Sequence, residues 1–215
     1  MTKLILASNS PRRKELLALF GWPFEVLPAD IDESQKAGEP PVDYVRRLAC
    51  EKAQAIASIR EGLILAADTI VVDGEELLGK PMDDADARRM LTQLRSRTHQ
   101  VYTGIALIDT ASGESVDTVC RTDVPMRAYS DAELEAYIQT GDPLDKAGAY
   151  AIQHSDFHPV ENLAGCYASV MGLPLCHLTV ALRRFGWQAP ADLYERCQET
   201  LNYECPVYKE ILGLT

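Results

Sequence analysis

The stretch Lys3-Leu4-Ile5-Leu6-Ala7 runs without a spacer into Ser8-Asn9-Ser10-Pro11-Arg12-Arg13, and a strand delivered straight into a helix start leaves little choice of local fold. Ser10 is a favoured N-cap and Pro11 a favoured first helical residue, so the spacing predicts a helix from here to about Phe20, closed by Gly21. Both arginines then lie in the first turn, where a cation opposes the positive end of the helix macrodipole. That arrangement suits an occupying anion, held by free backbone N–H groups and forked guanidinium bonds. Taken alone, it suits two solvated arginines equally well.

Further along, Phe24 to Leu27 reads as a short strand, followed by the acidic loop Pro28-Ala29-Asp30-Ile31-Asp32-Glu33-Ser34. A helix is predicted from about Pro41 to Arg60. Val45, Leu48, Ala49, Ala53, Ile56 and Ala57 recur in it at helical spacing, with Lys52 near the edge of the buried stripe. Leu63 to Ala67 reads as a central strand that pauses at Asp68-Thr69 and resumes as Ile70-Val71-Val72. Asp73-Gly74 predicts a tight turn into a hairpin strand, Glu75 to Leu78, ended by Gly79-Lys80-Pro81.

Residues 84 to 95 read as a helix, and Gln100 to Asp109 with Ser115 to Arg127 as an antiparallel ribbon. Ser130 and Glu133 match a capping box at the start of a helix that ends near Gly141. The Gly/Pro-punctuated segment 141 to 153 reads as a functional loop entering a strand, Tyr167 to Met171 as a further strand, and Leu175 to Arg184 as an amphipathic helix. The mixture predicts an α/β (mixed α+β) fold with an elongated mixed sheet in two lobes.

Composition narrows the function. A formal charge of −11 leaves no basic face for nucleic acid or an anionic membrane. No apolar run approaches the ~20 residues of a membrane span, and the N-terminus lacks a secretory apolar region, so a cytoplasmic location is expected. The six cysteines form no C-x-x-C pair, which argues against zinc or a disulfide framework, and Cys166 and Cys176 sit among apolar residues that suit core packing. His154 and His158 lie four apart, but Pro159 argues against a helical zinc pair.

An ionised Asp68 in so apolar a strand is costly unless it is paired or metal-bound. Glu33, Lys52 and Lys80 occupy loop or helix-edge positions from which they can reach it. One carboxylate to deprotonate water, a second to hold a divalent ion, and lysines and arginines to neutralise phosphates would serve phosphoanhydride hydrolysis. Ordinary surface ion pairs would use the same residues.

Ser8 to Leu17, Glu51-Lys52-Ala53, Ala67-Asp68-Thr69, Gly79-Lys80-Pro81 and Ala147 to Gln153, with Asp32-Glu33, Tyr102-Thr103-Gly104 and Val170 to Pro174, stand in an order and spacing that resembles the Maf family over about residues 3 to 186. The resemblance implies a Maf/ITPase-like fold: a mixed sheet flanked by helices, a deep cleft between two lobes, and often a homodimer. It implies a nucleoside triphosphate pyrophosphatase that cuts between the α- and β-phosphates with Mg²⁺ or Mn²⁺. Asp68 would be the general base on the attacking water. Ser8, Arg13, Glu33, Lys52 and Lys80 would bind substrate, with Asp68 near the metal and Glu33 either a second metal ligand or the residue that orients a lysine. Arg12, Thr69 and Gln153 match the branch that prefers dTTP and UTP over 7-methyl-GTP, and Gln153 offers the donor and acceptor that a pyrimidine face requires. The same pocket chemistry would serve hydrolysis of modified or damaged pyrimidine nucleotides, and a different class would be a nucleotide-binding regulator of cell division acting through a partner. Residues 154 to 164 depart from the family pattern. Beyond a Maf-like domain of residues 1–186, an extension of residues 187–215 is expected to add a helix that caps the cleft, lines a dimer interface or does neither.

Overall fold

A computed structural model describes residues 2–214. Strand β1 (Leu4–Leu6) feeds helix α1 (Pro11–Ala18) as the N-terminal motif predicts, with Ser10 accepting from the Arg13 N–H and Gly21 turning the chain at φ +70°. Strand β2 (Phe24–Val26) pairs parallel to β1, and helix α2 (Pro41–Ala57) returns the chain to β3 (Leu63–Asp73), which pairs parallel to β1 on the opposite side from β2. From there the sheet is antiparallel. The turn at Gly74 leads into β4 (Glu76–Leu78), helix α3 (Asp84–Leu94) follows, and β5 (Thr98–Asp109) and β6 (Ser115–Pro125) extend the sheet in the order β2-β1-β3-β5-β6.

Period-two alternation assigns the faces. Leu4, Leu6, Leu63, Leu65 and Ala67 pack into the larger core with α1, α3, α4 (Asp131–Ile138) and α6 (Leu175–Arg183). Ile5, Ala7, Ile64 and Ala66 pack against Ala49, Ala53 and Ile56 of α2 on the opposite face. The Ser130–Glu133 capping box opens α4 as expected.

The cleft arises from the edges of β3. Its β5 edge is paired continuously from Leu63↔Asp109 to Val72↔Gln100, so β3 does not pause at Asp68-Thr69 as the apolar pattern predicts. The opposite edge is paired by β1 at Leu63–Leu65 and by β4 at Val71–Asp73, and among the described residues no strand pairs the stretch between them. This gap separates the β1–β2–α1 end of the sheet from the β4–α3 end.

Three further expectations change. Tyr167–Val170 is a helical turn, α5, not a strand: Gly172, at φ +106°, donates its N–H back to the Ala168 and Ser169 carbonyls, a closure that extended backbone cannot make. The segment after Gly141 enters no strand. It forms short helical turns at Asp142–Asp145 and Ala147–Ala149, pinned by Gly148 at φ +70° and by Ala151 N–H donating to the Tyr137 hydroxyl. The C-terminal extension forms two helices, α7 (Leu193–Leu201) and α8 (Tyr208–Leu212), rather than one. They pack on α5 and α6, where Cys166, Cys176, Cys197 and Cys205 line a small void, and among the described residues none beyond Met171 lines the cleft. Cys166 is buried as expected, whereas Cys176 is half-buried at this junction.

Candidate active site

Successive residues of a strand face opposite ways, so at the gap in β3 Asp68 points to the α2 side and Thr69 to the α1 side. Lys52 of α2 meets Asp68, its ammonium donating to Oδ1 at 2.6 Å while pairing with Glu33 Oε1 at 2.8 Å. Gly104 of β5 makes this approach feasible. It stands opposite Asp68 in register, and a Cβ there would lie 2.7 Å from the Val45 carbonyl of α2. Asp68 and Lys52 are both under 10% exposed, whereas the Glu33 side chain is 57% exposed. Burial pushes the Asp68 carboxyl above the ordinary carboxylate range, against the pull of Lys52 and Arg13.

On the other face Arg13 spends three of its five N–H groups on the protein: Nε donates to Gly172 O at 3.0 Å, Nη1 to Ser8 Oγ at 3.2 Å and Nη2 to Thr69 Oγ1 at 3.1 Å. One N–H on each Nη is left for a ligand. Thr103 donates its hydroxyl to Ser169 O at 2.8 Å, so the 3.0 Å contact between Thr69 and Thr103 has Thr69 as donor, and the Thr69 oxygen is free to accept from Arg13. Gly172 keeps this junction open, since a Cβ there would lie 3.2 Å from both Arg13 Nε and Thr69 Oγ1. Desolvation lowers the Arg13 pKa, while Asp68 opposes the shift.

All nine sequence-predicted residues (Ser8, Arg12, Arg13, Glu33, Lys52, Asp68, Thr69, Lys80 and Gln153) line one cleft of about 750 Å³. They form two bonded groups, Lys52–Asp68–Glu33 and Arg13–Ser8–Thr69. Arg12, Lys80 and Gln153 share the cleft but not those bonds. Arg12 lies 3.9 Å from Asp145 Oδ2, and Lys80 is exposed beside Gly79, whose carbonyl accepts from Gly148 N at 3.0 Å. Among the described residues no group of three or more His, Cys, Asp or Glu side chains is placed to hold a metal ion. The Glu33–Asp68 pair, both carboxylates reaching one ammonium, is nevertheless a donor set of the kind that suits Mg²⁺ or Mn²⁺, ions that keep waters and take substrate phosphates as further ligands. Among the described residues no helix is long and apolar enough to cross a membrane.

The model of the Maf-like protein family matches residues 3–185. This chain belongs to the Maf family. A dTTP/UTP pyrophosphatase of Anaeromyxobacter dehalogenans (strain 2CP-1) is 50% identical over 190 residues, covering 87% of this Maf chain and 96% of that protein. One of Myxococcus xanthus (strain DK1622) is 50% identical over 191 residues, covering 88% and 95%. Among solved structures, the Staphylococcus aureus Ham1 protein aligns over 93% of this chain and 98% of that one, at 13% identity and a TM-score of 0.47.

Sequence reasoning missed part of the Maf cleft. Tyr44, Tyr150 and Met171 line it, and Thr103 supports Thr69 from behind. Tyr150 lies in a segment that the motif order marks. Tyr44 carries no such mark, since it is one more half-apolar position on α2. His154, which the pattern sets beside His158, accepts from Phe157 N through Nδ1 at 3.0 Å and packs edge-on to Tyr137.

Proposed function

We propose that the cleft hydrolyses the α,β-phosphoanhydride bond of dTTP and UTP, releasing the nucleoside monophosphate and pyrophosphate. The observation that carries this reading is the buried Asp68 carboxylate at the open edge of β3, bonded to Lys52 and flanked by the half-free Arg13 guanidinium. Asp68 takes a proton from the attacking water. Its raised pKa strengthens it as a base, and the Lys52 ammonium keeps it ionised. The two remaining Arg13 N–H groups, with Arg12 and Lys80, bind triphosphate oxygens as their charge shifts toward the leaving pyrophosphate. Gln153 presents a carbonyl and an amide to the pyrimidine ring. Glu33 and Asp68 are the residues that would hold Mg²⁺ or Mn²⁺, whose chemistry here is neutralisation of phosphate charge.

The reading includes a cytoplasmic location, nucleoside triphosphates as the binding partner and assembly as a homodimer. The test incubates the protein with Mg²⁺ or Mn²⁺ and dTTP, UTP, CTP, GTP, 7-methyl-GTP and modified pyrimidine triphosphates, and resolves the products. Monophosphate plus pyrophosphate from dTTP and UTP is the expected outcome. Turnover of 7-methyl-GTP instead overturns the roles of Arg12, Thr69 and Gln153. Tight binding of nucleotide with no turnover of any kind supports the regulator in its place.

A further inference from the structure

Residues 27–40 connect β2 to α2 without a regular element, yet they carry Glu33. A connection of this length has no ladder to set its position, and loops so long and irregular are usually functional. Here α2 fixes it. The Tyr44 hydroxyl donates to the Glu33 carbonyl at 2.7 Å, and Arg47 Nη2 donates to the Ser34 carbonyl at 3.0 Å. The Arg47 fork also closes on Glu39, Nε to Oε1 at 2.6 Å and Nη2 to Oε2 at 2.8 Å, while Nη1 reaches Glu51 at 3.1 Å. Glu39 in turn accepts from Lys36 N, and its carbonyl accepts from Gln35. The Arg47 and Glu39 side chains are only 15% and 9% exposed, and the guanidinium lies 5.5 Å from the centroid of the Tyr44 ring. An isolated surface ion pair contributes little, but a shielded two-pronged fork inside a network holds its geometry.

We infer that Arg47 is a positioning residue for hydrolysis: by clamping loop 33–39 to α2 it keeps the Glu33 carboxylate on Lys52, next to Asp68. The inference rests on the hydrolase reading above and adds a residue outside the cleft to it. The Glu33 carboxylate and the Asp68 carboxylate share the Lys52 ammonium, so releasing the loop acts through Glu33, a dependence that general loss of packing does not produce.

Arg47→Lys keeps the charge and removes the fork. The experiment measures kcat and KM for dTTP in wild type, Arg47→Lys, Glu33→Gln and the double variant, with amide hydrogen exchange followed in parallel. Arg47→Lys is expected to lower kcat roughly tenfold to a hundredfold. It should lower kcat more than it changes KM, and speed exchange in residues 30–40 but not in β3 or β5. In the Glu33→Gln background it should have no further effect on kcat. Equal losses in both backgrounds, or unchanged exchange in the loop, overturn the inference. Glu39→Gln removes the same fork from the other side and carries the test if Arg47→Lys does not fold. Absence of turnover in the wild type overturns the hydrolase reading itself, whereas turnover with additive losses overturns only the role of Arg47.

Discussion

The end of the cleft proposed to hold the phosphates and the end proposed to hold the base are built from different material. Asp68 and Thr69 stand on a strand paired on one edge without a break from Leu63 to Val72, Lys52 on a helix of 17 residues, and Arg13 in the first turn of a capped helix. The base end consists of turns. Lys146 holds them by donating to Asp142 O at 2.6 Å, Asp142 Oδ1 at 2.8 Å and Asp145 Oδ1 at 2.6 Å, and Gln153 stands exposed at their end. Of the groups proposed to act on a triphosphate, the same in every nucleotide, Asp68, Lys52 and Arg13 occupy regular elements, and Lys80 and Glu33 sit on the connections beside them. Gln153, proposed to face the base, which varies, sits where a side chain can be exchanged with little cost to the fold.

The contrast can be broken most forcefully at Asp68. Asp68→Asn keeps shape and removes the base, so turnover should fall by roughly 10²- to 10⁴-fold while calorimetry still records nucleotide binding. Full turnover in that variant would remove Asp68 from the chemistry.

Next in size is a pH effect beneath the base end. His99 in β5 is fully buried, its Nε2 lies 2.8 Å from the hydroxyl of the cleft-lining Tyr150, and burial depresses its pKa from 6.5 to about 4. The unfolded chain therefore takes up a proton that the folded protein refuses. The contribution of His99 to stability is full above pH 6.5 and is lost as pH falls toward 4, by about 3 kcal/mol. Denaturant titrations of wild type and His99→Gln at pH 7, 5.5 and 4 should show a smaller loss in the variant, and parallel losses would count against it.

Gly172→Ala tests the phosphate end without touching a charge. The added methyl meets Arg13 and Thr69 at 3.2 Å on backbone at φ +106°, so kcat/KM should fall roughly tenfold to a hundredfold through misplacement of the guanidinium. Unchanged kinetics would show that Arg13 needs no such alignment. The smallest effect is expected at Gln153. Gln153→Ala should lower kcat/KM for dTTP and UTP about tenfold, narrow their advantage over other triphosphates and leave the melting temperature in place. An equal loss for every nucleotide would erase the distinction between the two ends.

The same division governs what the chain reveals before it folds. Ser10-Pro11, Ser130 with Glu133, and the alternating Leu63-Ile64-Leu65-Ala66-Ala67 state their structures locally, because caps and strand faces depend on neighbours within a few residues. The site residues were legible as types and in order, but their assembly was not. Arg13 meets Thr69 across 56 positions and Gly172 across 159, distances that no local pattern encodes. Tyr167 to Met171 reads as a strand because a short apolar run fits a strand or a helix equally, and Gly172 decides the matter from outside it. Tyr44 and Arg47 were invisible because a side chain that holds a loop looks, on a helix, like any half-exposed residue.

The unpaired edge of β3 has one more consequence. Bare strand edges are templates on which foreign strands add and aggregates grow, and proteins shorten or cover them for that reason. Between β1 and β4 the bare stretch is Ala66–Ile70, roughly 17 Å at ~3.3 Å per residue, with a strand already hydrogen-bonded at each end. A stranger's strand meets those two neighbours before it can settle, while a small molecule does not. The opening thus offers a foreign strand only a short edge flanked on both sides, while a small molecule can enter it.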